Sequence, residues 1–176
     1  MRSKLAIVGV LLASGLVAGW FAYSPYRALG QLSDFDIDQQ AFSALYDPEA
    51  LRKAFAAQTV PEMDGLPPPI TKNVVLDALV APEAVRLLVA EPYGEWQFAA
   101  AEGLPEEIKK QLDADQEPQP YMPRMLEMTE SWTIDRQGLD TFVAMPADRE
   151  GGHSYTFERA GLGWRLVHIQ LSEPIR

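Results

Sequence analysis

The chain has 176 residues, of which 47% are hydrophobic and 10% aromatic, enough apolar surface for one domain with an appendage and too much for wholesale disorder. Its 15 basic residues against 25 acidic ones leave a net charge of -10 and no local basic cluster, which excludes a nucleic-acid partner. Cysteine is absent, so disulfides, thiolate zinc sites, iron–sulfur clusters, a thiol nucleophile and a lipidated N-terminal cysteine are excluded together.

Residues 5–23 are apolar and uncharged, a run long enough at about 1.5 Å per residue to cross a hydrocarbon core as a helix. Arg2 and Lys4 precede it and favour a cytoplasmic N-terminus, with everything beyond Tyr23 outside. A cleavable signal peptide is the competing reading, with Val17 and Gly19 at the small-residue positions of a cleavage site. Trp20, Phe21, Tyr23 and Tyr26 favour an uncleaved anchor, because they form an aromatic belt at the outer headgroup level. Two of the 15 basic residues thus belong to the flank, whereas all acidic residues follow the run and the acid excess falls on the exported part. Gly15 and Gly19 make a G-x-x-x-G, the spacing that lets two helix backbones approach and so would support a homodimer. The expected location is the inner membrane, single-pass, with residues 1–23 as anchor and residues 24–176 as one extracytoplasmic domain.

Within that domain helices are expected first, over residues 24–113. A short stretch after Ser24-Pro25 runs through Leu32, and Asp36-x-x-Gln39 has the form of a helix cap with its reciprocal partner, before an apolar face of Phe42, Leu45 and Tyr46. Asp47-Pro48-Glu49 is a second start signal, followed by Leu51 and Phe55 at i, i+4. Gly65-Leu66-Pro67-Pro68-Pro69 reads as a stiff connector rather than a docking peptide. Residues 74–90 form a helical pair broken at Ala81-Pro82-Glu83, with Val85, Leu88 and Val89 as the buried stripe of the second piece. Pro105-Glu106-Glu107 opens a further helix in which Ile108 and Leu112 face inward and Glu106 pairs with Lys110. Pro118, Pro120 and Pro123 make residues 113–123 a hinge.

From Met125 the apolar period becomes two. Four strands are expected at residues 126–134, 139–145, 153–159 and 162–171, joined by short turns into an antiparallel meander over 125–171. The fold class is therefore α+β: a transmembrane helix, then helices packed on one face of a four-stranded antiparallel sheet, similar by analogy to cystatin-like and nuclear-transport-factor-like folds.

Ser24-Pro25-Tyr26-x-Ala28-Leu29 after the anchor, Asp47-Pro48-x-Ala50-Leu51-Arg52, and Gly161-Leu162-Gly163-Trp164-Arg165-Leu166-Val167-x-Ile169 together resemble the bacterial membrane-anchored family catalogued as domain of unknown function 2939. The resemblance runs from the anchor to Leu171, except for residues 61–123, which carry no matching motif. It implies an extracytoplasmic α+β domain behind a membrane helix and implies no reaction and no catalytic residue.

Chemistry-bearing patterns are sparse. No phosphate loop, dinucleotide fingerprint, Gly-x-Ser-x-Gly elbow or histidine metal motif occurs, so no cofactor and no metal is expected. Asp34-x-Asp36-x-Asp38 lacks the glycine and terminal glutamate of a calcium loop and reads as a solvated, helix-capping cluster. His153 and His168 could meet across the last two strands, and His168 with Glu130 or Glu158 could supply acid/base chemistry; strand alternation places His168 with Trp164 and Leu166, on a face that is either core or solvent. Trp96, Trp132, Tyr155 and Trp164 either line an apolar cleft, with His168 at its edge, or fill the core. The reading favoured is a non-catalytic binding or interaction module of the bacterial envelope, its ligand an envelope protein or a small apolar molecule. A small pocket enzyme using His168, and a self-associating assembly protein, are the alternatives.

Overall fold

The computed structural model describes residues 2–32, 34, 36–66, 68–113, 132–147 and 151–175, with the side chains of residues 2–13, 16–18 and 111–113 outside the description. It is a mixed α+β fold in which helices precede a four-stranded antiparallel sheet. Helix α1 spans Arg2–Leu32 without interruption and carries Pro25 in its interior. The expected short helix after Ser24-Pro25 is thus the continuation of the N-terminal helix rather than a separate element. Most of the apolar run of residues 5–23 has its side chains outside the description; among the described residues no helix is long and apolar enough to cross a membrane.

Helix α2, Gln39–Ser43, is capped by Asp38, whose carboxylate accepts from the Ala41 amide at 2.9 Å. The cap expected at Asp36 therefore lies two residues later, because Asp34 takes the Asp36 amide in a local turn. Helix α3, Pro48–Ala57, starts as expected, with Asp47 accepting from the Ala50 amide at 3.0 Å. Proline at the first turn has no amide to leave unpaired, and Glu49 faces the helix dipole favourably. A 3₁₀ turn at Pro61–Gly65 follows. The expected pair is α4, Lys72–Leu79, and α5, Pro82–Ala90, and Val85, Leu88 and Val89 are all buried.

Helix α6, Trp96–Gly103, has no counterpart among the elements the sequence predicts, which leave the stretch between Pro92 and Pro105 empty. It lacks a side-chain cap and a polar face, so neither of the usual signals marks it. It exists because Ala99 and Ala100 allow it to pack closely, and an added Cβ at Gly103 would stand 1.9 Å from the Ala78 carbonyl oxygen. Helix α7, Glu106–Asp113, pairs Glu106 with Lys109 at 3.5 Å instead of Lys110. The expected hinge, apart from Asp113, and residues 126–131 of the first expected strand lie outside the described residues.

The strands are β1, Trp132–Arg136; β2, Thr141–Pro146; β3, Ser154–Ala160; and β4, Gly163–Gln170, paired in chain order as a meander. Both tight turns use glycine at positive φ, Gly138 at 100° and Gly161 at 62°, where a Cβ would be strained. The inner face carries Phe142, Ala144, Tyr155, Phe157, Trp164, Leu166 and Ile169, all buried against Leu29, Leu32, Phe42, Leu51, Phe55, Leu79 and Val85 from the helices. The rings of Phe142 and Phe157 stack at 4.5 Å between centroids.

The outer edge of β4 is covered, which removes a template for strand addition. Asp47 donates its amide to Leu166, and Leu166 donates its own to Leu45. Farther along, the Gln58 side chain donates to the Ile169 carbonyl and accepts from the Leu171 amide, both at 2.8 Å.

Candidate functional site

The proline inside α1 determines what happens at its base. Pro25 has no N–H, so the Phe21 carbonyl four residues earlier is left without its helical donor. The Arg136 guanidinium donates through Nη2 to that carbonyl and reaches the Ala22 carbonyl at 3.5 Å. Ser24 Oγ donates to the same Phe21 carbonyl at 3.3 Å and accepts from the buried Trp164 indole N–H at 2.9 Å. A helix break that would cost several kcal/mol is in this way converted into a docking joint between α1 and the sheet.

Arg136 and Arg159 meet at this joint. They face inward from β1 and β3, and Arg136 lies 4.1 Å over the Phe21 ring while Arg159 lies 3.8 Å over Trp164. Each also reaches the other's ring, Arg159 at 5.6 Å from Phe21 and Arg136 at 6.0 Å from Trp164. Burial and the neighbouring Arg159 hold the Arg136 guanidinium below its usual range, with Tyr26 opposing. Among the described residues the ion pairs are Arg52–Asp77, Lys72–Asp64 and Lys109–Glu106, so neither arginine has a carboxylate partner. Arg27 stacks on Trp20 at 5.4 Å on the same helix. The sequence shows no local basic cluster because Arg136 and Arg159 are far apart along the chain; strand register and the α1 joint bring these two together on the same pair of rings.

The residues singled out from sequence fall in several places. Trp164 belongs to the joint, packed edge-on to Phe142 at 4.7 Å. Tyr155 stands four positions from Arg159 on β3, about 13 Å along the strand. It packs edge-on to Trp132 at 5.5 Å and donates its hydroxyl to the Leu88 carbonyl at 2.6 Å. Burial drives the Tyr155 hydroxyl well above its ordinary pKa, so it is a neutral donor. Trp96 is buried at the start of α6 in the same core. Trp96, Tyr155 and Trp164 are therefore buried in the core and Trp132 is partly buried against it, with Trp164 at one end of the sheet and the Trp132–Tyr155 pair at the other.

His168 does not share the face of Trp164 and Leu166. A bulge lets Thr156 pair with His168 and Phe157 with Leu166, which turns Ile169 inward and leaves His168 half-buried on the outer face. Glu130 lies outside the described residues, and Glu158 is exposed on the outer face. His153 is the buried histidine. Its Nδ1 accepts from the Ser172 amide at 3.1 Å and its own amide donates to the Pro92 carbonyl at 2.6 Å. Burial lowers its pKa to about 4, although the Gly94 backbone near the ring pulls the other way, so the ring is neutral at pH 7. A concavity of about 410 Å³ lined by Asp64, Leu66, Thr71, Lys72 and Asn73 includes none of these residues. Among the described residues no group of three or more histidine, aspartate and glutamate side chains is arranged to hold a metal ion.

No family model, curated protein or solved structure matches the chain.

Proposed function

We infer that the protein is a single-pass, membrane-anchored module of the bacterial envelope, akin to the domain of unknown function 2939 family, whose acidic α+β domain binds rather than transforms its partner. The observation that carries this reading is the continuity of α1: the helix that includes the apolar run enters the domain core and buries Ala28, Leu29 and Leu32 there. A domain attached in this way is held in one orientation to the bilayer instead of swinging on a linker. Trp20, Tyr23 and Tyr26 are exposed at the point of entry, where an aromatic belt would meet the headgroups. Helices on one face of a meander are an arrangement that cystatin-like and nuclear-transport-factor-like folds also use, an analogy of architecture alone. Acid/base chemistry at His168 has less support, since His168 faces away from the helices.

Membrane fractionation of the full chain with alkaline extraction, combined with protease accessibility in spheroplasts, tests the reading. The expected result is retention in the membrane pellet and digestion of the acidic domain from the outside. Release at alkaline pH, or protection from external protease, would refute the anchor or its orientation. Gly15 and Gly19 are exposed, and a Cβ at either would meet nothing within 4 Å among the described residues, so the same membranes also test self-association. If that face joins two copies, Gly15→Leu with Gly19→Leu abolishes their crosslinking.

A further inference from the structure

We propose that the end of the sheet from which α1 departs is a lipid-headgroup site, in which Arg136, Arg159 and Arg27 bind the phosphates of anionic phospholipids while the two hairpin tips rest on the bilayer surface. This inference rests on the membrane-anchored reading and adds to it a ligand of defined chemistry. The geometry sets the face. Phe21 and Ser24 contact Arg136, Arg159 and Trp164, which adjoin the β1–β2 and β3–β4 turns, and Ala28, Leu29 and Leu32 lie deeper in the core. The part of α1 before Phe21 therefore leaves the domain on the side of those two turns.

Three features converge there. Leu139 and Leu162, at the tips of the two hairpins, are 71% and 82% exposed, the most exposed large apolar side chains described, and Trp20, Tyr23 and Tyr26 are exposed on the stretch of α1 that flanks the Phe21 and Ser24 joint. Exposed apolar and aromatic groups of this kind are costly in water and favourable at a membrane interface. Next, among the described residues two guanidinium groups share the same two aromatic rings with no carboxylate paired to either, in a chain that carries 25 acidic residues against 15 basic ones. Asp135 and Asp140 are near in sequence and form no ion pair with either arginine. Like charges placed together and left uncompensated favour an anion, and arginine's planar fork suits phosphate oxygens. Finally, Arg136 is anchored to the Phe21 and Ala22 carbonyls, so its charge is fixed at the level of the helix exit. The acidic remainder of the domain is repelled by an anionic surface, so this end alone makes the contact.

The test uses the full chain in nanodiscs of phosphatidylcholine alone or with phosphatidylglycerol, with the thermal midpoint of the domain as readout. Phosphatidylglycerol should raise the midpoint by about 3–5 °C, as a ligand that binds only the native state does. Arg159→Gln should remove at least half of that rise, since among the described residues the Arg159 side chain makes a 3.4 Å contact to the Leu139 carbonyl and its ring contacts. Leu162→Glu, at an exposed turn, should do the same, whereas Arg52→Gln should leave the rise intact. Equal midpoints in the two lipids, or a full rise in Arg159→Gln and Leu162→Glu, would overturn the proposal. An equal rise when inorganic phosphate is added to phosphatidylcholine discs would assign the arginines to free phosphate and likewise overturn it. Failure to enter discs of either composition would refute the anchored reading itself, whereas entry into both with no dependence on lipid charge would refute only the headgroup site.

Discussion

The indole N–H of Trp164 donates to Ser24 Oγ at 2.9 Å, a buried bond that ties the last strand to the first helix. Both partners are nearly inaccessible, so removing only the acceptor leaves an indole donor dry and unpaired. Ser24→Ala should destabilise the domain by about 1–3 kcal/mol, a fall in thermal midpoint of roughly 2–10 °C. In a double-mutant cycle with Trp164→Phe, which removes the donor, Ser24→Ala should cost much less in the Trp164→Phe background than alone. Additive losses in the cycle would show that the bond is not the source of the effect.

His153 makes stability depend on pH. Its folded-state pKa of about 4 lies below the usual value of about 6.5, so the unfolded chain takes up the proton first as pH falls. Stability is full above about pH 6.5 and declines between pH 6.5 and pH 4, by about 2 kcal/mol at pH 5 from this residue. Urea denaturation at pH 7 and pH 5 measures the change, and His153→Gln should flatten it. A variant with the same pH slope would place the titrating group elsewhere.

Gly103 permits the close approach of α6 to α4. Because the obstacle is the Ala78 backbone oxygen and not a flexible side chain, Gly103→Ala cannot be absorbed by a rotamer change. It should cost about 3 kcal/mol, whereas Gly30→Ala, inside α1 where a Cβ meets nothing, should stabilise by up to about 1 kcal/mol. Equal midpoints for the two variants in a thermal melt would contradict this packing.

Gln58 closes the outer edge of β4 through its side-chain amide. Gln58→Ala should cost about 2 kcal/mol and expose the Leu171 amide to solvent exchange. Hydrogen exchange at Leu171 reads this directly: faster exchange is expected, and unchanged protection would mean that another group covers the edge.

Much of the frame was legible because its causes are local. Asp47-Pro48-Glu49 announces α3 by capping, proline and dipole, and alternation with short turns announces the meander before any contact is known. Helix α6 was not legible, since its reason is a close fit between Gly103 and Ala78 and not a cap or an amphipathic stripe. Strict alternation predicts His168 on the face of Trp164, and the bulge opposite Thr156 and Phe157 reverses it. The arginine cluster depends on strand register and on the carbonyl freed by Pro25, neither of which a linear reading shows.

The central claim, that α1 crosses the bilayer and delivers the acidic domain against its outer surface, is tested most directly by depth. The chain has no cysteine, so single cysteines at Ser14, Tyr26 and Lys53 each carry one spin label without interference. Ser14 is at the middle of the apolar run and Tyr26 is about 18 Å farther along the helix, just beyond the half-thickness of a hydrocarbon core of about 30 Å. Relaxation by oxygen and by a water-soluble nickel complex in reconstituted bilayers should place Ser14 at the midplane, Tyr26 among the headgroups and Lys53 in water. Equal access of the nickel complex to all three positions would contradict the account.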